Sequence, residues 1–119
     1  MAKISLAPLA SIDGYLGATL VDSTSGMVLG ADGGGTVNLE IAAAGNTQVV
    51  RAKRKTMESL GIKEKIEDIL ITLTDQYHII RPLASDDVLF LYVVLNREKS
   101  NLAMARHEIR KFETTLNFN

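Results

Sequence analysis

Cysteine and tryptophan are both missing from this chain, and proline occurs only twice. Without cysteine there is no disulfide, no thiol nucleophile and no thiolate metal ligand, which suits a reducing compartment. Aromatic residues make up only 5% of the sequence against 46% hydrophobic overall, so the core is aliphatic. Neither sign of charge dominates. A formal net charge of −1 provides no bulk attraction for nucleic acid or anionic lipid. No apolar run approaches the ~20 residues of a membrane span, and the N-terminus has no charged segment leading into an apolar core and cleavage site. The expectation is a cytoplasmic protein with no membrane insertion and no nucleic-acid partner. Its 119 residues suit a single domain, 1–119.

Reaction chemistry is equally sparse. His78 and His107 are the only histidines, and neither has a second ligand type at helical ligand spacing. No serine lies in a G-x-S-x-G elbow. Glu67 and Asp68 are neighbours on a strand candidate, where adjacent side chains point to opposite faces and cannot share a proton. Asp86 and Asp87 fall in a turn, where aspartate is favoured for backbone reasons. Asp32-Gly33-Gly34-Gly35-Thr36 precedes a helix, a place where glycines can cradle phosphate. It has neither the lysine of a P-loop nor the G-x-G-x-x-G spacing of a dinucleotide site. No catalytic, metal-binding or cofactor-binding residue emerges, and the chain is read as a non-enzyme.

What is present is organised around residues 36–60, a helix candidate about 35 Å long if fully helical. Thr36 or Asn38 can cap it, and Gly61 stands where a left-handed terminator belongs. Val37, Ile41, Ala44, Val49, Ala52, Thr56 and Leu60 recur at helical spacing and predict one buried stripe. Ala42, Ala43, Ala44 and Gly45 make the helix thin, although Gly45 costs about 1 kcal/mol against alanine. Such thinness permits close backbone approach, either by this helix from a second copy or by the chain's own sheet. Arg51, Lys53, Arg54 and Lys55 follow as the densest basic run. They are a solvated face or a docking surface for an acidic or nucleotide-loaded protein, and the missing aromatics weaken nucleic acid further.

The remaining elements flank that helix. Residues 3–12 suggest a short helical turn limited by Pro8. Residues 14–22 and 27–30 read as a hairpin around Asp22-Ser23-Thr24-Ser25-Gly26. Residues 66–74 alternate, 76–83 follow a turn at Asp75, and 88–95 run apolar without alternation, as a central strand buried on both faces does. Residues 100–116 form a helix with Leu102, Ala105, Ile109, Phe112 and Leu116 on one side. A five-stranded, mainly antiparallel sheet flanked by helices, an α+β sandwich, accommodates all of them.

The stretch Ile12-Asp13-Gly14-Tyr15-Leu16-Gly17-Ala18-Thr19-Leu20-Val21-Asp22, then Gly26-Met27-Val28-Leu29, resembles the opening of roadblock/dynein-light-chain domains. Ile79-Ile80-Arg81-Pro82-Leu83 and Asn101-Leu102-Ala103-Met104-Ala105-Arg106 are similar to later parts of that family. The resemblance implies strand order 2-1-5-4-3, as in the related longin domains, and a homodimer pairing the third strand and central helix of each copy. Ile41, Ala42, Ala43, Ala44, Gly45 and Gln48 of the helix, with Ile69 and Ile71 of the strand, would then form the interface. Bacterial members of the family are often scaffolds or activating partners of small Ras-like GTPases, which makes such a GTPase the implied partner and Arg51, Lys53, Arg54 and Lys55 the implied contacts. No arginine matches a catalytic finger. The alternatives are a non-catalytic assembly subunit of another signalling or motility complex, or a small-molecule sensor, which would need an internal pocket.

Overall fold

A computed structural model describes residues 4–35 and 37–116. Among the described residues five strands form one antiparallel sheet: β1 Tyr15–Asp22, β2 Met27–Gly33, β3 Ile69–Thr72, β4 Gln76–Pro82 and β5 Leu89–Asn96. Their order across the sheet is β2-β1-β5-β4-β3, so β5, formed from the apolar run at 88–95, lies at the centre. Helix α1, Leu39–Ser59, covers one face, and helix α2, Leu102–Glu113, covers the other beside a 3-10 turn at Ala7–Ser11. Alternation along β5 divides the two cores. Leu89, Leu91, Val93 and Leu95 face α2 with Ile109 and Leu9, while Phe90, Tyr92 and Val94 face α1 with Ala43 and Val50.

Local chemistry sets the ends of each element. Asn38 caps α1 by accepting from the amides of Glu40 and Ile41, both at 3.0 Å. Thr36, the other candidate cap, lies outside the described residues. Gly61, at φ +70°, ends the helix with paired bonds from Gly61 N to Glu58 O and from Ile62 N to Met57 O. Asn101 caps α2 through the Met104 amide. Pro8 sits in the first turn of the 3-10 segment, where its missing N–H costs nothing. The glycine run serves the backbone: Gly33 and Gly34 have φ of 64° and 102°, and a Cβ on Gly17 would meet the Gly34 nitrogen at 2.4 Å.

Three expectations change. The strand expected at 66–74 is only Ile69–Thr72, because Gly61–Asp68 runs as an unpaired strap tied down by Arg81 and Arg106. The second strand reaches Gly33 rather than Gly30, so the first of the three glycines still pairs, opposite Gly17. The stripe expected to be buried on α1 faces outward. Ile41 is 71% exposed and Leu60 67%, while Ala43, Thr47 and Val50 are the residues that meet the sheet. Two stripes at helical spacing run side by side on this helix, and the one with larger apolar residues is on the solvent side.

Candidate functional site

The outward face of α1 carries Ile41, Ala44, Gly45, Gln48, Val49 and Ala52, all exposed. A Cβ on Gly45 would meet nothing within 4 Å, so no contact inside this chain requires glycine there. Ala42 is half-buried beneath this face. Ala43, grouped with it from the sequence, is fully buried against the chain's own sheet and is not part of the outward surface. The four-residue run thus turns from core to solvent within one helical turn.

Strand β3 is the sheet's margin, paired on one side only, with Ile69 opposite Ile80 and Ile71 opposite His78. Ile69 and Ile71 lie on the α1 side and are half-buried. An unpaired strand edge offers free amides and carbonyls for pairing, and Ile69 and Ile71 of this strand pack on the same core layer as Ala43 of α1.

Strands β4 and β5 share a short chain of polar side chains. Tyr92, a buried residue of central β5, has its hydroxyl 2.9 Å from Nδ1 of His78. Nε2 of His78 lies 2.9 Å from Oε1 of Gln76. The His78 and Tyr92 rings meet edge to face at 5.3 Å. Burial raises the phenol's pKa and lowers the imidazole's, so both groups favour their neutral forms. Nothing in the sequence marked His78 as joined to Tyr92, because the pairing depends on β4 and β5 being neighbours in register.

The basic run divides in two. Arg51 donates through Nε to the Ser23 carbonyl at 2.9 Å and through its terminal nitrogen to the Thr24 carbonyl. Arg54 donates to the Asp87 carbonyl and, at 3.5 Å, to Ser23 Oγ. These two guanidiniums clamp the β1–β2 and β4–β5 turns to α1. Lys53 and Lys55 are exposed, and no hydrogen bond or ion pair engages them among the described residues. Of the four residues read as a docking surface, Arg51 and Arg54 thus also make hydrogen bonds within the fold.

No group of three or more His, Asp or Glu side chains among the described residues is placed to hold a metal ion. No described helix is long and apolar enough to cross a membrane. The glycine-rich connection is spent on a backbone reversal, with the Gly34 amide donating to the Leu16 carbonyl at 2.8 Å. Beneath the end of α1 a groove of about 330 Å³ is lined by both signs of charge, including Arg54, Lys65, Glu58 and Asp87, over Met57 and Ile62.

Solved structures share this architecture. A roadblock/LC7 domain from Streptomyces avermitilis superimposes with a TM-score of 0.79 at 16% identity, covering 92% of this chain and 88% of that one. This is the roadblock fold. MglB from Myxococcus xanthus matches it with a TM-score of 0.64 at 16% identity over 86% of this chain and 85% of that one. An MglB structure described as having a tetrameric arrangement reaches 0.78 at 15% identity over 93% and 81%. At these identities the likeness is one of fold. No protein-family model and no curated protein matches the sequence. The roadblock fold accounts for the central position of β5 and for the marginal position of β3.

Proposed function

We propose that this chain acts, as one domain, as a cytoplasmic, non-catalytic homodimeric regulator or scaffold for a small Ras-like GTPase. The observation that carries the reading is the exposed small and apolar face of α1 together with the unpaired edge of β3, whose Ile69 and Ile71 pack on the same core layer as Ala43 of that helix. In the dimer, Ile41, Ala44, Gly45 and Gln48 of one copy pack on the same residues of the other, and β3 edges pair near Ile69 and Ile71. A two-fold arrangement is the natural outcome when one patch is self-complementary. The likeness to MglB structures and the family resemblance support a GTPase as the partner. Lys53 and Lys55, exposed and without a hydrogen bond or ion pair among the described residues, are the basic residues most readily offered to it.

The test has two parts. Sedimentation should give a dimer mass at micromolar concentration. Immobilised protein should then capture a small GTPase in a manner that depends on whether GDP or a non-hydrolysable GTP analogue is bound. A dimer that ignores both nucleotide states of every GTPase encoded nearby would remove the GTPase and leave an assembly subunit. A monomer would remove the self-association.

A further inference from the structure

Backbone direction alternates along a strand, so an antiparallel neighbour takes the N–H and C=O of every second residue. The Leu73 amide donates to the Gln76 carbonyl at 2.8 Å, which fixes that alternation for β3. Ile69, Ile71 and Leu73 spend their backbone groups on β4, in register with Ile80, His78 and Gln76. Leu70 and Thr72 therefore turn theirs to the open side of the sheet. Side chains alternate as well. Ile69 and Ile71 lie in the core layer on the α1 side and Leu70 in the layer on the α2 side. Leu73 continues the row of Ile69 and Ile71, with 42% of its surface exposed.

Both ends of this edge are closed off. Continuing the β3–β4 register would set Glu67 opposite Pro82, which has no amide to donate. The Glu67 carbonyl takes the Arg81 guanidinium at 3.3 Å instead, and Arg106 holds the Asp68 carboxylate at 2.9 and 3.1 Å. At the other end the chain turns at Asp75, whose carbonyl accepts the Arg97 amide at 3.0 Å. The opposite margin of the sheet is less suited to pairing. The β1–β2 ladder has a register break at Leu20/Val21, and a Cβ on Gly30 of β2 would meet the Ile4 carbonyl oxygen at 2.5 Å.

A second copy related by a two-fold axis pairs antiparallel, and open-side residues can meet only open-side residues. The axis can then pass through Leu70, Ile71 or Thr72. An axis at Leu70 draws on the Asp68 backbone, outside the strand, and sets Leu73 against Glu67. An axis at Thr72 draws on Thr74 and sets Ile69 against Asp75. With the axis at Ile71, Leu70 bonds to Thr72 of the other copy, and Thr72 to Leu70, within the strand alone. Ile71 then faces Ile71 and the exposed Leu73 faces Ile69, so the row is apolar throughout.

We propose that two copies pair across β3 in one register, with Ile71 on the two-fold axis and Leu73 of each copy covered by Ile69 of the other. The register rests on the dimer proposed above. What it adds is the alignment, which the open-side residues and the exposed Leu73 select.

Because the sequence has no cysteine, single introduced cysteines report the alignment. The experiment is oxidative cross-linking of the full chain, read on a non-reducing gel, alongside sedimentation of the unaltered chain. Ile71→Cys should link to itself, since facing residues of a non-hydrogen-bonded pair have Cα atoms about 4.5 Å apart. Leu70→Cys alone and Thr72→Cys alone should stay at monomer mass on the gel. Each is staggered from its own copy by about 7 Å along the strands, besides the strand spacing, and a disulfide does not span that. An equal mixture of Leu70→Cys and Thr72→Cys should give the mixed covalent dimer, and this arm decides the register even where Ile71→Cys does not fold. A sedimenting dimer in which Leu70→Cys or Thr72→Cys links to itself moves the axis and overturns the register, leaving the dimer intact. A dimer that neither Ile71→Cys nor the mixture links does not pair in this way, which overturns the register too. A monomer refutes the dimer and the register with it.

Discussion

Arg81 and Glu113 meet at 2.6 Å with side chains only 11% and 8% exposed, where β4 passes the last turn of α2. The same carboxylate accepts the Ala84 amide at 2.7 Å, and the same guanidinium donates to the Glu67 carbonyl at 3.3 Å. One ion pair therefore fastens the end of α2, the start of the β4–β5 connection and the strap before β3. Removing one partner of a buried pair leaves a charge with no compensation. Glu113→Ala should cost about 3–5 kcal/mol, and Glu113→Gln, which keeps an acceptor, should cost less. Urea denaturation with an unchanged midpoint for Glu113→Ala would refute the assignment.

Gly45 has open space where its side chain would be. Gly45→Ala should therefore stabilise the isolated fold by about 1 kcal/mol through helix propensity. Gly45→Leu should keep its helical circular dichroism and sediment as a monomer. A Gly45→Leu variant at dimer mass would exclude this face from association.

The two halves of the basic run should respond differently. Arg51→Ala leaves the Ser23 and Thr24 carbonyls without their donor and should lower stability by about 1–2 kcal/mol. Lys53→Glu with Lys55→Glu should stay within about 0.5 kcal/mol of the parent and weaken GTPase capture. Capture at undiminished yield by the lysine double variant would take those two residues out of the docking surface.

Gly17 touches backbone, not a flexible side chain, so nothing nearby can yield at low cost. Gly17→Ala should destabilise by about 1–3 kcal/mol, as overpacking does. A thermal midpoint equal to the parent's would show that the glycine-rich connection shifts freely.

His78 also sets a pH dependence of folding. Its pKa is lowered by burial, so the unfolded chain binds a proton that the folded chain resists. Its contribution is complete above the ordinary value of about 6.5 and is lost as pH falls from there through the lower native value. Thermal midpoints measured downward from neutrality should decline in the parent more than in His78→Gln. Parallel curves would show that His78 is as accessible to protons in the fold as in the open chain.

Much of this arrangement was legible from residue order alone. The unbroken apolar run at 88–95 announced a central strand, and Leu102, Ala105, Ile109, Phe112 and Leu116 marked the inner side of the last helix. Helix α1 was harder because Ile41 and Val49 are more hydrophobic than Ala43 and Thr47, yet the smaller pair is inside. Periodicity finds a stripe but does not say which of two adjacent stripes meets the sheet. That decision depends on the room between helix and strands, which small residues fill when the helix lies close. The duties of Arg51 and Arg54 were hidden for a related reason. Their acceptors are main-chain carbonyls of distant turns, and carbonyls carry no residue-specific signal. Tyr92 with His78, and Arg81 with Glu113, are joined only by tertiary register.

The strand at the middle of the sheet is the fifth to be made, and it bonds to both β1 and β4. During synthesis, then, the first hairpin, α1 and the β3–β4 pair emerge before the element that unites them exists. Such non-local closure is slow. A nascent chain stopped before Leu89 would hold two separate half-sheets with bare apolar sides, a substrate for chaperones until β5 clears the ribosome.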